Sequence, residues 1–397
     1  MDSYYADLHI HIGRTKTGRA VKITGAKTLT LQNVLKVSRE RKGLDMIGII
    51  DCHSPEVIEE IEELMEAGTV SEHSEGGLQY GATTFIPGSE IEIYDGNSKG
   101  PIHVLAYFPT LSVMKQFSAW MSGLVTNINL SSQRIYCDAK TLQQTVKAYG
   151  GLFIPAHVFT PFKSLYGKGV TKSLEEVFDP ALIDGVELGL SSDTQMADAI
   201  SELNGFAYLT NSDTHSLGKI AREYQEMKLE QPNFIELEKA LQEVDGRKII
   251  ANFGLNPRLG KYHRTVCSAC LNPVEGTEGI CLECGSNKLI KGVATRIKEL
   301  SDSTPLLKKR ERPPYIHQVP LEFIPGLGPK TLERLLDAFG TEMDILHRVS
   351  LEQLKAVVPE KIAGLIDLAR KGNMGIEAGG GGKYGKVTAG LDRKSKK

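Results

Sequence analysis

The most constraining stretch of this 397-residue chain is Asp7-Leu8-His9-Ile10-His11, almost at its N-terminus. Asp7, His9 and His11 alternate with Leu8, Ile10 and Ile12, the period of an extended strand. Residues two apart on a strand point the same way, so His9 and His11 can bite one metal ion together. A lone His-x-His is as often two histidines on a polar face. Later apolar runs, however, end in the same chemistry. Residues 46–50 run into Asp51-Cys52-His53, and residues 83–86 lead through Pro87-Gly88-Ser89 to Glu90. A fourth run, 102–107, contains His103, the fifth ends at His157, residues 185–188 form a sixth, and the seventh ends in Asp213-Thr214-His215.

Between these runs lie amphipathic stretches: 29–41, a helix opened by Ser54 as cap and Pro55 in its first turn, and most of 111–149 with a polar break at 126–134. Short apolar strands alternating with helices predict an α/β fold with parallel strands. Polar residues at the C-terminal ends of strands form the rim on which α/β barrels build active sites. Imidazoles mixed with carboxylates suit zinc, manganese or iron, and bridging carboxylates suit a multinuclear site. On a phosphate ester, clustered metals generate hydroxide, clamp the phosphate and neutralise the leaving oxygen. Cys52 reads as a buried strand-end thiol rather than a nucleophile.

Charge divides the chain. Residues 1–257 carry 23 Lys and Arg against 33 Asp and Glu, and residues 258–397 carry 24 against 16, so a body at −10 is followed by an appendage at +8. That asymmetry points to a polyanion-binding appendage. There is no apolar run of about 18 residues and no signal peptide, so the expectation is a cytoplasmic protein. After a basic joint at 256–264 come Cys267-x-x-Cys270 and Cys281-x-x-Cys284, the spacing of a zinc ribbon whose four thiolates close the coordination sphere. Lys288, Lys291, Arg296, Lys298 and Lys308-Lys309-Arg310 follow as a candidate nucleic-acid track. Gly326, Gly328, Lys330 and Thr331 then precede a helix, an arrangement similar to a helix-hairpin-helix, in which backbone amides at a helix start grip DNA phosphate. Val357-Val358-Pro359-Glu360 looks like a second copy without the glycines. Residues 376–397 read as a flexible basic tail.

The set Asp7-Leu8-His9-Ile10-His11, Glu90, His157 and Asp213-Thr214-His215 resembles the polymerase-and-histidinol-phosphatase (PHP) phosphoesterases. That resemblance implies a distorted (β/α)7 barrel over residues 1–255; the cysteine spacing and the glycine turn then place a zinc-ribbon region and basic linker at 256–312 and a small helix-hairpin-helix domain at 313–375, before the tail. The resemblance also implies that His9, His11, His53, Glu90, His103, His157, Asp213 and His215 are ligands for two or three divalent ions (zinc, or manganese or magnesium). Glu90 would bridge, and Asp51 would orient a ligand imidazole. Two departures stand out. Cys52 separates Asp51 from His53, and the first loop carries Thr15, Lys16 and Thr17 where the family often supplies another ligand. Lys16 or Arg14 would then face the phosphate, with Arg222 a further candidate.

The order of barrel, ribbon and hairpin, over roughly residues 4–375, resembles PHP-family repair endonucleases. The resemblance implies nicking of damaged DNA 5′ of hypoxanthine, uracil, xanthine and abasic sites by a metal-bound hydroxide, and leaves room for a clamp protein as partner. An extruded base would need a pocket, with Phe159, Phe162 and Tyr166 as candidate lining and Lys163 and Lys168 for phosphate. Two rivals are a small-molecule phosphatase of the same barrel family, acting on histidinol phosphate or a nucleotide, and a non-catalytic DNA-binding scaffold.

Overall fold

The computed structural model describes residues 1–274, 279–302, 310–380 and 383–391. The strand Asp2–Ile10 lies at the centre of a mixed sheet. It pairs parallel with Met46–Ile49 on one side and antiparallel with Tyr224–Leu229 on the other. Met46–Ile49 pairs parallel with Thr83–Ile93, which continues past Pro87 and so carries Glu90 inside a strand rather than after one. Ile102–Tyr107 then pairs antiparallel with Thr83–Ile93, and Leu152–Pro155 antiparallel with Ile102–Tyr107. Val186–Glu187 and Tyr208–Leu209 form a separate parallel pair.

The uniformly parallel arrangement expected from the alternating pattern is therefore corrected. A parallel crossover needs a dozen or more residues, and only residues 94–101 connect Thr83–Ile93 to Ile102–Tyr107. That connection is turned instead by Asp95, whose carboxylate accepts from the N–H groups of Asn97 and Ser98. The short parallel pair is joined to its neighbours by loop hydrogen bonds: Val158 N–H to Glu187 O on one side, Thr214 N–H to His9 O on the other.

Two apolar clusters fill the body. Leu8, Met46, Ile86, Leu105, Ile154 and Leu209, drawn from successive strands, pack in one. Ile10, Ile47, Ile49 and Phe85 belong to the other, together with the helical side chains Val57, Ile61, Phe117 and Leu142. The register with Met46–Ile49 shifts between Asp7 and Ile10, so strict alternation ends just where the histidines begin.

The C-terminal region is fastened to this body. Tyr315–Ile316 adds a parallel strand to Lys248–Phe253. His347 stacks on Tyr5 with ring centres 4.4 Å apart, and the buried Lys42 ammonium lies 2.9 Å from Glu342. Helices Pro329–Phe339, Leu351–Val357 and Glu360–Arg370 follow in order, the first preceded by Gly326 at φ 85°. In the described part of the supposed tail, Met374–Glu377 and Lys386–Leu391 form an antiparallel hairpin. Glycines at 379 and 385 let that hairpin approach Arg258 and Leu259, so the expectation of a flexible segment fails there. Gly381, Gly382, Arg393, Lys394, Lys396 and Lys397 lie outside the described residues, as do Lys308 and Lys309. Arg310 is not part of a solvated track: it ion-pairs with Glu243 at 2.9 Å and donates to Leu241 O. Among the described residues no helix is long and apolar enough to cross a membrane.

Candidate metal centre

Three overlapping groups of side chains converge at one mouth of the body: His9, His11 and Glu90; His11, Asp213 and His215; and Glu90, His103 and His157. His9 Nε2 lies 3.6 Å from Glu90 Oε1 and 3.5 Å from Asp213 Oδ1. His11 Nε2 is 3.6 Å from Glu90 Oε2 and 3.6 Å from Asp213 Oδ1. His215 Nε2 stands 3.6 Å from Asp213 Oδ1, and His157 Nε2 3.4 Å from Glu90 Oε1. Most of these gaps exceed a hydrogen bond. They match the spacing of ~3.4 Å between two ligands that each sit ~2.1 Å from one tetrahedral ion. The Nε2 atoms of His9, His11 and His103 are buried and have no hydrogen-bond partner. Buried nitrogens are rarely left unpaired, so the cluster fits divalent cations. The two Glu90 oxygens face different imidazoles, as a bridging carboxylate does.

A second layer aims the imidazoles. Asp51 Oδ2 accepts from His11 Nδ1 at 3.0 Å. Glu187 does the same for His9, its oxygens 2.9 and 3.1 Å from Nδ1, and is itself held by Asn211. Fixing Nδ1–H in this way turns Nε2 toward the ions. Asp7 lies among neither layer. Its carboxylate accepts from Ser212 N–H at 3.0 Å and Ala221 N–H at 2.9 Å, tying the first strand to the loop that carries Asp213. In that loop Asp213 adopts φ 44°, and His157 adopts φ 31°. Such backbone is costly for non-glycine residues and persists only where the surroundings enforce it. Gly189 is part of that enforcement, since a Cβ there would fall 2.8 Å from His157 Cβ.

The electrostatics follow from burying carboxylates among imidazoles. Burial opposes charge on Glu90, Asp213, Asp51 and His9, but the partners prevail. Glu90 is held well below its usual pKa by His103 and Lys22, and Asp213 likewise by the neighbouring imidazoles of His9, His11 and His215. Asp51 is drawn down to about 2 by His11. His9 is lifted to about 10 by Glu187 and Asp213 against the penalty of burial. A site with this much retained negative charge holds cations: protons in their absence, metal when present.

Several expected residues sit elsewhere. His53 is not in the cluster: its Nδ1 takes Ser89 Oγ at 2.8 Å and its Nε2 takes Leu130 O at 3.1 Å. The chain turns just after Asp51, and the turn carries the His53 ring away from the cluster although it follows an apolar run. Lys16 is turned outward to Glu63. The loop cation that reaches the site is Lys22, whose Nζ lies 3.0 Å from Glu90 Oε2 and 2.6 Å from Ser132 Oγ. Arg14 is half-buried and bridges Ala20 through its backbone. Arg222 donates to Ser212 O at 2.8 Å and Asp213 O at 3.3 Å, so it pins the backbone beneath Asp213. Cys52 is buried and its thiol pushed up to about 12, no nucleophile. Phe159 and Tyr166 stack on each other inside the fold, 5.4 Å apart, and only Phe162 of the three candidate pocket aromatics is exposed. Lys163 pairs with Glu92 at 2.8 Å. Lys168 lines a cleft with Lys99, Lys291 and Arg296. Glu187 is the main omission of sequence reasoning; its position at a strand end was the available signal.

The four cysteines form a second cluster on the short hairpin pairing Val266–Cys267 with Leu289–Ile290. Cys267 Sγ lies 3.5 Å from Cys284 Sγ, and Cys270 Sγ 3.6 Å from Cys281 Sγ. Four thiolates ~2.3 Å from one zinc would be ~3.8 Å apart, so the cluster fits a closed zinc site.

No protein-family model matches the chain. It is 58% identical over 387 residues to the uncharacterized protein YqxK of Bacillus subtilis (strain 168), covering 98% of this chain and 100% of that one. It is similar to the crystal structure of the lesion-specific endonuclease PfuEndoQ from Pyrococcus furiosus, with a TM-score of 0.83 and 33% identity over 97% of this chain and 95% of that one. A crystal structure of an endonuclease Q complexed with a 27-mer duplex carrying an abasic lesion at the active site matches with a TM-score of 0.82 and 31% identity over 100% of both chains.

Proposed function

Because the chain belongs to the endonuclease Q family, we propose that it is a metal-dependent DNA repair endonuclease that hydrolyses the phosphodiester 5′ of abasic sites and of deaminated bases (hypoxanthine, uracil and xanthine). The observation that carries this reading is the convergence of His9, His11, Glu90 and Asp213, with buried unpaired Nε2 atoms, in a fold that matches a lesion endonuclease from end to end. His9, His11, Glu90, His103, His157, Asp213 and His215 would hold two or three divalent ions. Those ions supply an activated water and neutralise charge on the phosphate and leaving oxygen.

The chain's own residues supply order. Glu187 and Asp51 keep the His9 and His11 rings aimed, so the cluster is assembled before substrate arrives. Arg222 and Asp7 clamp the loop bearing Asp213 in its strained conformation. Lys22 brings an ammonium against Glu90, close enough to meet a scissile phosphate oxygen. The four-cysteine ribbon and the turn at Gly326 and Gly328, with Lys330 and Thr331 at the start of helix Pro329–Phe339, would grip the DNA backbone without reading sequence. The lesion nucleotide would be extruded from the stack to reach the mouth.

The test is a duplex with one deoxyinosine or one abasic site. The purified chain with divalent metal should nick it on the 5′ side of the lesion, leaving 3′-hydroxyl and 5′-phosphate ends, and spare the unmodified duplex. An intact lesion duplex alongside rapid turnover of a soluble phosphate monoester would instead establish a small-molecule phosphatase.

A further inference from the structure

Beside the metal-type cluster lies a cavity of 190 Å³ whose wall includes His157 and Asp213 together with Phe162, Tyr262 and Tyr384. Tyr384 comes from the far end of the chain, between the strands Met374–Glu377 and Lys386–Leu391. That hairpin is docked at the mouth: Gly379 N–H donates to Arg258 O at 2.7 Å and Gly385 N–H to Leu259 O at 2.9 Å. A Cβ on Gly385 would fall 2.3 Å from Glu377 O and 2.9 Å from Leu259 Cδ2, so glycine is required for this approach. The Lys261 ammonium stands 4.6 Å from the Tyr384 ring centre and holds the ring from one side. The ring nevertheless stays 50% exposed. It also borders an adjoining 280 Å³ cavity that contains Arg222, the residue beneath Asp213. Core packing gives no reason for a fixed, half-open aromatic ring facing two members of the metal-type cluster. Phe162 and Tyr262 of the same wall already meet edge to face, 5.4 Å apart at 80°.

We propose that Tyr384 is a specificity-determining residue that stacks on the extruded base of a deaminated nucleotide while the phosphate on its 5′ side lies at the metal-type cluster. This inference rests on the endonuclease reading above. An aromatic face accepts any flat base, so stacking rewards the presence of a base in the cavity without depending on its hydrogen-bonding edge. An abasic nucleotide has no ring to stack and gains nothing from Tyr384. The C-terminal hairpin thus forms part of the active-site wall and makes base-bearing and baseless lesions respond differently to one side chain.

Single-turnover nicking of a deoxyinosine duplex and an abasic-analogue duplex by the full chain and its Tyr384→Ala and Tyr384→Phe variants tests this. Tyr384→Ala should slow deoxyinosine nicking roughly tenfold, the scale of one lost base–aromatic stack, and change abasic nicking by less than about twofold. Tyr384→Phe should retain both rates. Equal losses on both duplexes, or no loss on either, would overturn the assignment of Tyr384 alone. Failure of the unaltered chain to nick either duplex would remove the endonuclease reading and this inference with it.

Discussion

Around His9 and His11, the ligand atoms come from strands and loops spread from residue 9 to residue 215, and carboxylates behind them fix each ring. Cys267, Cys270, Cys281 and Cys284, by contrast, come from two turns of one short hairpin, with Cys284 exposed and Leu282 83% exposed beside it. The first cluster is a product of the fold: apolar packing and the hydrogen bonds of Asp7, Glu187 and Arg222 hold it together. In the second, Cys267 and Cys281 are buried but Cys284 is exposed, so metal bound there would add folding energy. One site is open to substrate and carboxylate-rich; the other is closed and thiolate-only. Their losses should therefore read out differently, one in chemistry and the other in local structure.

The largest effect should follow Asp213→Ala, which removes an oxygen shared by His9, His11 and His215. Nicking should drop by roughly three orders of magnitude or more, while affinity for the lesion duplex, measured by anisotropy, stays near that of the parent. Rapid cutting by this variant would mean that the chemistry lies elsewhere. Next in size is Glu187→Gln, which weakens the orientation of His9. Loss of such a partner should lower metal affinity or nicking by roughly 10- to 100-fold, with thermal unfolding little changed. An effect as small as that of a surface substitution would show the fold alone suffices to aim the ring.

Cys270→Ser sharpens the contrast from the other side. Zinc content should fall by one equivalent, and amide exchange should rise across the hairpin Val266–Cys267 and Leu289–Ile290, while the ions at His9 and His11 remain. If both sites empty together, the two clusters are coupled and the contrast breaks.

The smallest effect concerns Glu223, which is buried and, among the described residues, accepts a hydrogen bond from Leu255 N–H alone. Burial raises its pKa from 4.5 to about 8. The folded chain therefore binds a proton that the unfolded chain has released. This contribution to stability is complete below pH 4.5 and is lost as the pH rises through about 8. Glu223→Gln keeps an uncharged acceptor for Leu255. It should match the parent near pH 4.5 and unfold roughly 2–5 °C higher above pH 8, as calorimetry across that range would show.

Much of the open site was legible because strand ends are visible in sequence. His9, His11, Glu90, His157, Asp213 and His215 each close or follow an apolar run, His103 lies inside one and was expected from the family resemblance, and the structure brings all seven together. His53 also follows an apolar run, but the chain turns just after Asp51 and carries its ring to Ser89 and Leu130 instead. Lys22 was one of five cations in a single loop, and nothing local distinguishes it from Lys16; the folded loop decides between them. Glu187 ends a strand of two residues, a position that marks it as a candidate, but nothing local points to its partnership with His9, far away in sequence. The antiparallel pairing of Thr83–Ile93 with Ile102–Tyr107 was foreshadowed only by the shortness of the connection at 94–101. The cysteine spacing, confined to one hairpin, was the easiest feature to read.

The central claim is that side chains gathered at the mouth hold ions separate from the one in the ribbon. Metal analysis of the purified chain, compared with a His9→Ala, His11→Ala double variant, tests this most directly. The account predicts at least three equivalents in the parent, and a drop in the variant to little more than the single zinc of the cysteines. One equivalent in both proteins, with lesion nicking intact in the parent, would contradict it.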